Sequence, residues 1–376
     1  MPEADLALFQ AYPVLRARCP RRPYTRLPTP VEPFALAGAP TGRLFIKRDD
    51  RSCSLYGGNK PRKLEFVIGA ALARGARRLV TSGALGTHHG LATTILGRDA
   101  GLATTLILVP QPIDDAVRHS LSLLTAYGAD LVYGSGVTSA ALRGAAVLAG
   151  SALRGERPFL IPTGGSSTLG NLGFVAAGFE LGEQVRRGAM PEPAEIWVPV
   201  GSGGTLAGLV SGLRLAGMST RVVGVLVTDI LAPSPRRLAR AATATLRRLR
   251  KLGAAPPDLR ISTSDFDLVR DQLGPGYGAP TAAGAEAIAR AARCGVQLEM
   301  TYTGKTLAAL LERGRRVGWP ERPVLFWNTY NGVDVDARAP ARDGGTRLPP
   351  RLERLLAAGR DESDPSQARR GGRPAK

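Results

Sequence analysis

Three segments of the chain repeat one pattern: a short β-rich run, a turn of small residues, then an Ala/Leu-rich stretch of helical character. They are Arg78–Ser82 before GALGTHHGLATTILGRDAG, Ala103–Val109 before IDDAVRHSLSLLTAYGA, and Ile196–Val200 before GSGGTLAGLVSGLRLAG. Runs at Arg221–Val227 and Pro323–Trp327 read as further strands. Alternation of this kind confines the chain to an α/β fold with mostly parallel sheets. Ligands of such folds sit beyond the carboxyl ends of strands, so chemistry is expected in the turns.

At 376 residues the chain exceeds what one hydrophobic core serves, which predicts two domains, with one large two-lobed unit as the alternative. A content of 44% hydrophobic and 22% charged residues excludes a wholly disordered or collagen-like chain. No apolar run reaches membrane-spanning length. The net charge of +19 raises nucleic acid or an anionic surface as a partner. Its distribution argues otherwise. Residues 1–63 hold 12 basic and 5 acidic side chains, 231–260 hold 8 and 1, and 337–376 hold 10 and 5, while the remaining body sums to zero. Within Arg236–Lys251, seven basic groups occur without an acid, but no aromatic interleaving or nucleic-acid motif accompanies them. A solvated, Arg-biased helix is the reading, and nucleic acid is not expected as a partner. Residues 337–376 read as a disordered basic tail apart from a short helix near Leu352–Ala358. Cys19, Cys53 and Cys294 show no metal-type spacing and read as reduced thiols. The start of the chain carries Glu3 and Asp5 where a signal peptide is basic, so a cytoplasmic location is expected.

Only six of the 50 basic residues are lysine, namely Lys47, Lys60, Lys63, Lys251, Lys305 and Lys376. A GC-rich genome accounts for most of that bias, but a retained lysine can mark a need for a titratable amine. Lys60 follows Gly57-Gly58-Asn59 at a glycine-rich turn, with Pro61 where a helix start tolerates it. The positive end of the helix dipole favours a neutral amine there, the form that attacks an aldehyde. A second turn, Gly201-Ser202-Gly203-Gly204-Thr205, follows the strand IWVPV and opens a helix. Small residues at that end free backbone amides to cup a phosphate. Leu206 stands where a dinucleotide fingerprint needs its third glycine, so a monophosphate fits better. A Schiff-base lysine and a monophosphate cup together imply pyridoxal 5'-phosphate.

With those motifs in place the chain resembles the fold-type II pyridoxal-phosphate enzymes, and within them the D-cysteine desulfhydrase and 1-aminocyclopropane-1-carboxylate deaminase group. The similarity runs in order from Leu27-Pro-Thr-Pro-Val-Glu32 to about Gly332. It implies two open, twisted, mostly parallel sheets flanked by helices, as in the tryptophan synthase β subunit. Residues 1–50 with 166–336 would form the larger, phosphate-binding domain, and 51–165 the smaller one carrying Lys60 and a catalytic turn, with the cofactor between them. A homodimer is also implied. The motif IKRDD…GGNKPRKLEF carries the cofactor lysine onto Lys60, and Gly201–Thr205 matches the phosphate loop. Ile161–Leu181 matches a glycine/serine connector, and GPGYGAPT and TYTGK place Tyr277 and Tyr302 over the substrate.

Two positions separate the subfamilies. Thr303 and Thr329 stand where the deaminases have Glu and Leu, which points to the desulfhydrases, with Thr303 toward the substrate and Thr329 facing the pyridine nitrogen. A hydroxyl there, unlike a carboxylate, does not strongly favour ring protonation. There are also departures. Gly86-Thr87-His88-His89 replaces the family's Gln-Ser-Asn-His turn, so Thr87 and His89 are expected near the substrate and His88 at the cofactor. Asn328-Thr329-Tyr330-Asn331-Gly332 replaces His-Thr-Gly-Gly and adds an aromatic side chain. The resemblance implies a lyase that eliminates sulfide from D-cysteine to give a keto acid and ammonia. Lys60 would remove the α-proton and Tyr277 or Tyr302 would assist the leaving group. Ring-opening deamination of 1-aminocyclopropane-1-carboxylate and a cofactor-binding protein without turnover are the alternatives.

Overall fold

A computed structural model describes residues 5–230, 232–340 and 348–361. The chain divides into two compact units, Met1–Ala76 with Ile161–Ala337, and Arg77–Leu160 with Arg338–Lys376.

The larger unit begins with two short helices, α1 (Ala7–Ala11) and α2 (Leu15–Arg18), then β1 (Val31–Pro33), β2 (Leu44–Lys47) and helix α3 (Asn59–Ala73). The smaller unit follows as β3 (Arg78–Ala84), α4 (His88–Asp99), β4 (Ala103–Val109), α5 (Asp115–Ala126), β5 (Asp130–Tyr133), α6 (Val137–Leu153) and β6 (Pro158–Leu160). The chain then returns with α7 (Leu172–Arg186), β7 (Glu195–Val200), α8 (Gly204–Leu215), β8 (Arg221–Leu226), α9 (Pro235–Lys251) and β9 (Phe266–Val269). It closes with α10 (Ala282–Arg293), α11 (Lys305–Val317), β10 (Val324–Trp327) and α12 (Pro350–Asp361).

The larger sheet has the order β1-β2-β10-β7-β8-β9, parallel except for the β1–β2 pair. One face packs on α1, α7, α8 and α9 through Phe174, Leu206, Val210 and Leu246. The other packs on α10 and α11 through Ala287, Leu307 and Leu310 against Trp197 and Phe326. Strands buried on both faces need near-continuous apolar runs, which is what IWVPV and VLFW supply. The smaller sheet is parallel in the order β5-β4-β3-β6. Its Val80 and Ile107 face α6, while α4 packs on β3 and β4 with α5 beside it. All five sequence-predicted strands are present, with ends shifted by at most two residues.

Helix α3 does not join the smaller unit, as the expected 51–165 domain requires. Buried charge explains why. Arg62 is 2% exposed and donates to both Asp49 oxygens at 2.7 and 2.8 Å and to Glu180 Oε2 at 2.8 Å. Trp327 Nε1 donates to the same Asp49 at 2.7 Å, and Lys47 pairs with Glu180. Burial pushes the Glu180 carboxyl up, but the Arg62 and Lys47 cations outweigh it and hold the group at about 2. Three residues on, Glu65 accepts from Arg21 Nε at 2.8 Å and from the Tyr24 amide at 2.7 Å. Arg62 and Glu65 of α3's first two turns are therefore paired inside the larger unit, and breaking such a buried pair costs about 3–5 kcal/mol.

The expected disordered tail holds more order than its composition suggests. Helix α12 spans Pro350–Asp361, Leu352 is buried, and Arg118 of α5 donates to the Leu356 carbonyl at 2.7 Å. Residues 341–347 and 362–376 of that expectation lie outside the described residues. The basic stretch Arg236–Lys251 is α9, whose Leu238, Ala242, Leu246 and Leu249 belong to the core while Arg236, Arg237, Arg240, Arg247 and Lys251 face solvent. Among the described residues, no helix is long and apolar enough to cross a membrane.

Candidate active site

In the larger unit, Lys60 opens α3 from a loop laced to the end of β10. The Gly58 amide donates to the Asp49 carbonyl at 2.7 Å and the Asn59 amide to the Thr329 carbonyl at 3.2 Å. Gly58 has φ +80, and a Cβ there would lie 2.4 Å from the Thr329 oxygen, so only glycine lets the two segments approach. Lys60 is half-buried, and desolvation lowers its amine from 10.5 to about 8, with Glu299 opposing. Burial rather than the helix dipole is thus the main cause. The amine donates to Asn59 Oδ1 at 2.9 Å and lies 5.8 Å from the centre of the Tyr302 ring.

Tyr302 stands in a π-helical turn, Met300–Gly304, capped by the Glu299 carboxylate, which accepts from the amides of Thr301, Tyr302 and Thr303 at 2.8–2.9 Å. Its hydroxyl is 2.8 Å from that of Tyr277. Burial raises both phenols above their ordinary range, so both keep their protons near neutral pH. Of the residues singled out from the sequence, Lys60, Tyr277 and Tyr302 stand together, while Thr303 is bonded within the turn. The Thr303 side chain is fully buried and its hydroxyl donates to Glu299 Oε1 at 3.1 Å, so it braces the turn.

The turn Gly201–Thr205 lies beside this cluster: a Cβ on Gly201 would sit 3.4 Å from Tyr302 Cε1. Gly203 takes φ +87, where a Cβ would also strike Leu238 of α9 at 2.3 Å. The turn opens α8, and Ser166 of the connector closes over it, its Oγ 2.7 Å from Ser202 Oγ and accepting from the Gly204 amide at 3.1 Å. Asn59 Nδ2 reaches Thr205 Oγ1 at 3.1 Å, which ties the lysine turn to the cup. Lys63 contacts Ser166 Oγ at 3.3 Å and the Gly164 carbonyl at 3.2 Å. Burial, then the neighbouring Lys60, push its amine well below the ordinary lysine value. Among the described residues no carboxylate pairs with Lys63. A buried, unpaired amine beside a helix N-terminus and two hydroxyls is a site where an anion would restore its charge, and a phosphate monoester fits it. Lys63, Ser166, Asn59 and Glu299 were not singled out as site residues from sequence. Spacing of three from Lys60 on one helix was the available signal for Lys63.

Tyr56 is buried, and burial with the nearby Tyr330 raises its phenol. Tyr330, half-buried, follows Thr329, which is 8% exposed.

In the smaller unit, the turn after β3 carries Thr87, His88 and His89. Thr87 is the N-cap of α4 and accepts from the Gly90 amide at 3.1 Å, leaving its hydroxyl hydrogen to donate. His88 is half-buried. His89 is turned inward instead, with Nε2 3.0 Å from Thr81 Oγ1 and 5% exposure, which leaves no open face for the expected substrate contact. Gly86 is held by its amide to Gln111 Oε1 at 3.1 Å.

A lysine amine of lowered pKa, a glycine turn at a helix N-terminus and a paired phenol on an open α/β sheet are what an enzyme working through a phosphorylated aldehyde cofactor needs. The family described as pyridoxal-phosphate dependent enzymes matches residues 24–329, and the chain belongs to it. It is 31% identical over 320 residues to a D-cysteine desulfhydrase of Salmonella typhimurium, covering 83% of this chain and 94% of that protein. A D-cysteine desulfhydrase of Klebsiella pneumoniae (strain 342) is 32% identical with the same coverage. Among solved structures, an ACC deaminase homologue superposes with a TM-score of 0.70 at 27% identity, over 88% of this chain and 95% of that one. A threonine deaminase from T.th. has a TM-score of 0.57 at 21% identity, over 87% and 98%, and shares the fold. The fold is that of the fold-type II members, and the cofactor is pyridoxal 5'-phosphate.

Proposed function

We propose that the chain is a carbon–sulfur lyase acting on D-cysteine, giving a keto acid, ammonia and sulfide. The observation that carries the reading is the juxtaposition of the Lys60 amine, lowered to about 8, with the Tyr277–Tyr302 hydroxyl pair 2.8 Å apart. Elimination needs one group to take a proton and another to give one, and these groups differ in that sense. Pyridoxal phosphate, when bound, supplies the aldehyde and an electron sink for charge developing at the substrate Cα.

The chain's own side chains do the rest. Lys60, partly neutral near pH 7–8, removes the Cα proton. The phenol pair, kept protonated by burial, delivers a proton to the departing sulfur, and water then completes conversion to keto acid and ammonia. Lys63, Ser166, Ser202 and the Gly203–Thr205 amides would hold its phosphate. Thr329 would lie at the ring nitrogen, where a hydroxyl would leave the ring less protonated than a carboxylate would. Thr87 and His88 keep the substrate and cofactor roles implied by the family turn. The proposal includes a cytoplasmic homodimer.

Support for sulfide elimination over ring opening comes from two positions. Thr303 is a hydroxyl locked onto Glu299 and brings no carboxylate of its own, and Thr329 follows the end of β10. The test is release of sulfide and keto acid from D-cysteine, L-cysteine and 1-aminocyclopropane-1-carboxylate by the purified enzyme. Fastest turnover is expected with D-cysteine. Faster 2-oxobutanoate release from the cyclopropane would reverse the assignment, and no release from any of the three would leave a binding protein.

A further inference from the structure

Lys305 is one of the six lysines, and none of the steps above uses it. It opens α11 three residues after Tyr302 and is fully buried. A buried ammonium needs partners. Among the described residues it forms no ion pair; its Nζ donates instead to the main-chain carbonyls of Leu273 at 2.7 Å and Gly276 at 3.3 Å. Those carbonyls belong to the loop that carries Tyr277.

That loop has little backbone regularity to hold it. Gly274, Gly276 and Gly278 take φ of +64, +149 and +78, and the segment between β9 and α10 is otherwise turn. Gln272 Nε2 ties its start to Glu312 of α11 at 2.7 Å, and two further side chains fix the part that carries Tyr277. Asp229 Oδ1 accepts from the Tyr277 amide at 3.0 Å, and Lys305 gathers the carbonyls just before it. Lys305 is also built into the tyrosine partner's own turn, since the next residue, Thr306, donates to the Tyr302 carbonyl at 2.8 Å. One ammonium thus connects the backbones of both phenols. A compact amine on a flexible stem can point at two carbonyls at once, whereas the planar guanidinium used almost everywhere else in this chain has a fixed fork.

We propose that Lys305 is the positioning residue of the tyrosine pair: it tethers loop 273–277 to the Tyr302 turn and so sets the contact between the two hydroxyls. The proposal rests on the reading that this pair delivers the proton to the leaving group.

The test is a double-mutant cycle in the holoenzyme with a parallel measurement on cofactor-free protein. Lys305→Met should lower kcat about 10²-fold with little change in KM, as a displaced catalytic pair does. In a Tyr277→Phe background the same substitution should change kcat by less than about twofold, because the group it positions is gone. Equal losses in the two backgrounds would overturn the proposal and leave Lys305 a packing residue. Should Lys305→Met not fold, Lys305→Gln, whose amide still donates, takes its place with the same expectation at smaller size. In cofactor-free protein labelled with 3-fluorotyrosine, the Tyr277 and Tyr302 signals, assigned with the Phe variants, should shift in Lys305→Met while those of Tyr12 and Tyr133 stay fixed. Unmoved Tyr277 and Tyr302 signals would overturn the tether. A shift in a protein that releases no product would support the tether and remove the functional reading instead.

Discussion

Helices α3 and α9 are both basic, and they use their charge in opposite ways. In α3, Arg62 and Lys63 are buried to within 2% exposure and Lys60 is half-buried. Arg62 is neutralised by Asp49 and Glu180, Lys63 turns toward a phosphate cup, and Lys60 holds a lowered pKa. In α9, five basic groups face solvent, and among the described residues none of the five makes an ion pair, while leucines fill the core beneath them. The number of charges misleads and their burial informs. Three cations in α3 cluster at the candidate site; five in α9 decorate a surface whose inner edge, Leu238, touches the Gly201–Thr205 turn.

The contrast predicts a gradient of effects. Glu180→Gln or Arg62→Met leaves buried charge uncompensated and should cost about 3–5 kcal/mol in denaturant unfolding. The pH sign follows from Glu180. Its folded value of about 2 lies below the ordinary 4.5, so its stabilisation is complete above pH 4.5 and is lost as pH falls toward 2. Glu180→Gln should therefore flatten the stability profile over that window; an unchanged acid slope would show that the network is not what holds α3.

Lys63→Met comes next. Loss of a charged hydrogen bond to the phosphate should weaken cofactor binding about 10- to 100-fold in an equilibrium titration, with the fold intact. Binding within about twofold of wild type would move the phosphate away from Ser166 and Gly204. Smallest is the α9 surface. Replacing Arg236, Arg240 and Arg247 together by Gln should change stability by less than about 0.5 kcal/mol per site and leave kcat unaltered. A fall in activity would mean that this face has a role beyond solvation.

The contrast also explains what the sequence made legible. Strands and their following helices could be read because apolar runs and glycine turns are local signals, and Lys60 and Gly201–Thr205 came with them, whereas Tyr277 and Tyr302 entered only through the resemblance to the family. Placing α3 depended on Asp49, Glu180 and Trp327, which are up to 278 residues from it or from each other in the chain and carry no local mark. The same is true of side-chain direction. Thr303 and His89 occupy matching positions in the motifs, yet each turns to a neighbour, Glu299 and Thr81, that periodicity does not identify. Lys63 was visible as a rare lysine, but its role required Ser166 from a segment 103 residues away.

Lys60, and not its buried neighbour Lys63 or the tethering Lys305, is the lysine proposed to carry the cofactor. Borohydride reduction of the holoenzyme followed by peptide mapping tests this directly, since reduction fixes the cofactor to whichever amine holds it. One labelled site, Lys60, is expected, with no label in Lys60→Ala. Label on Lys63 or Lys305, or undiminished label in Lys60→Ala, would contradict it.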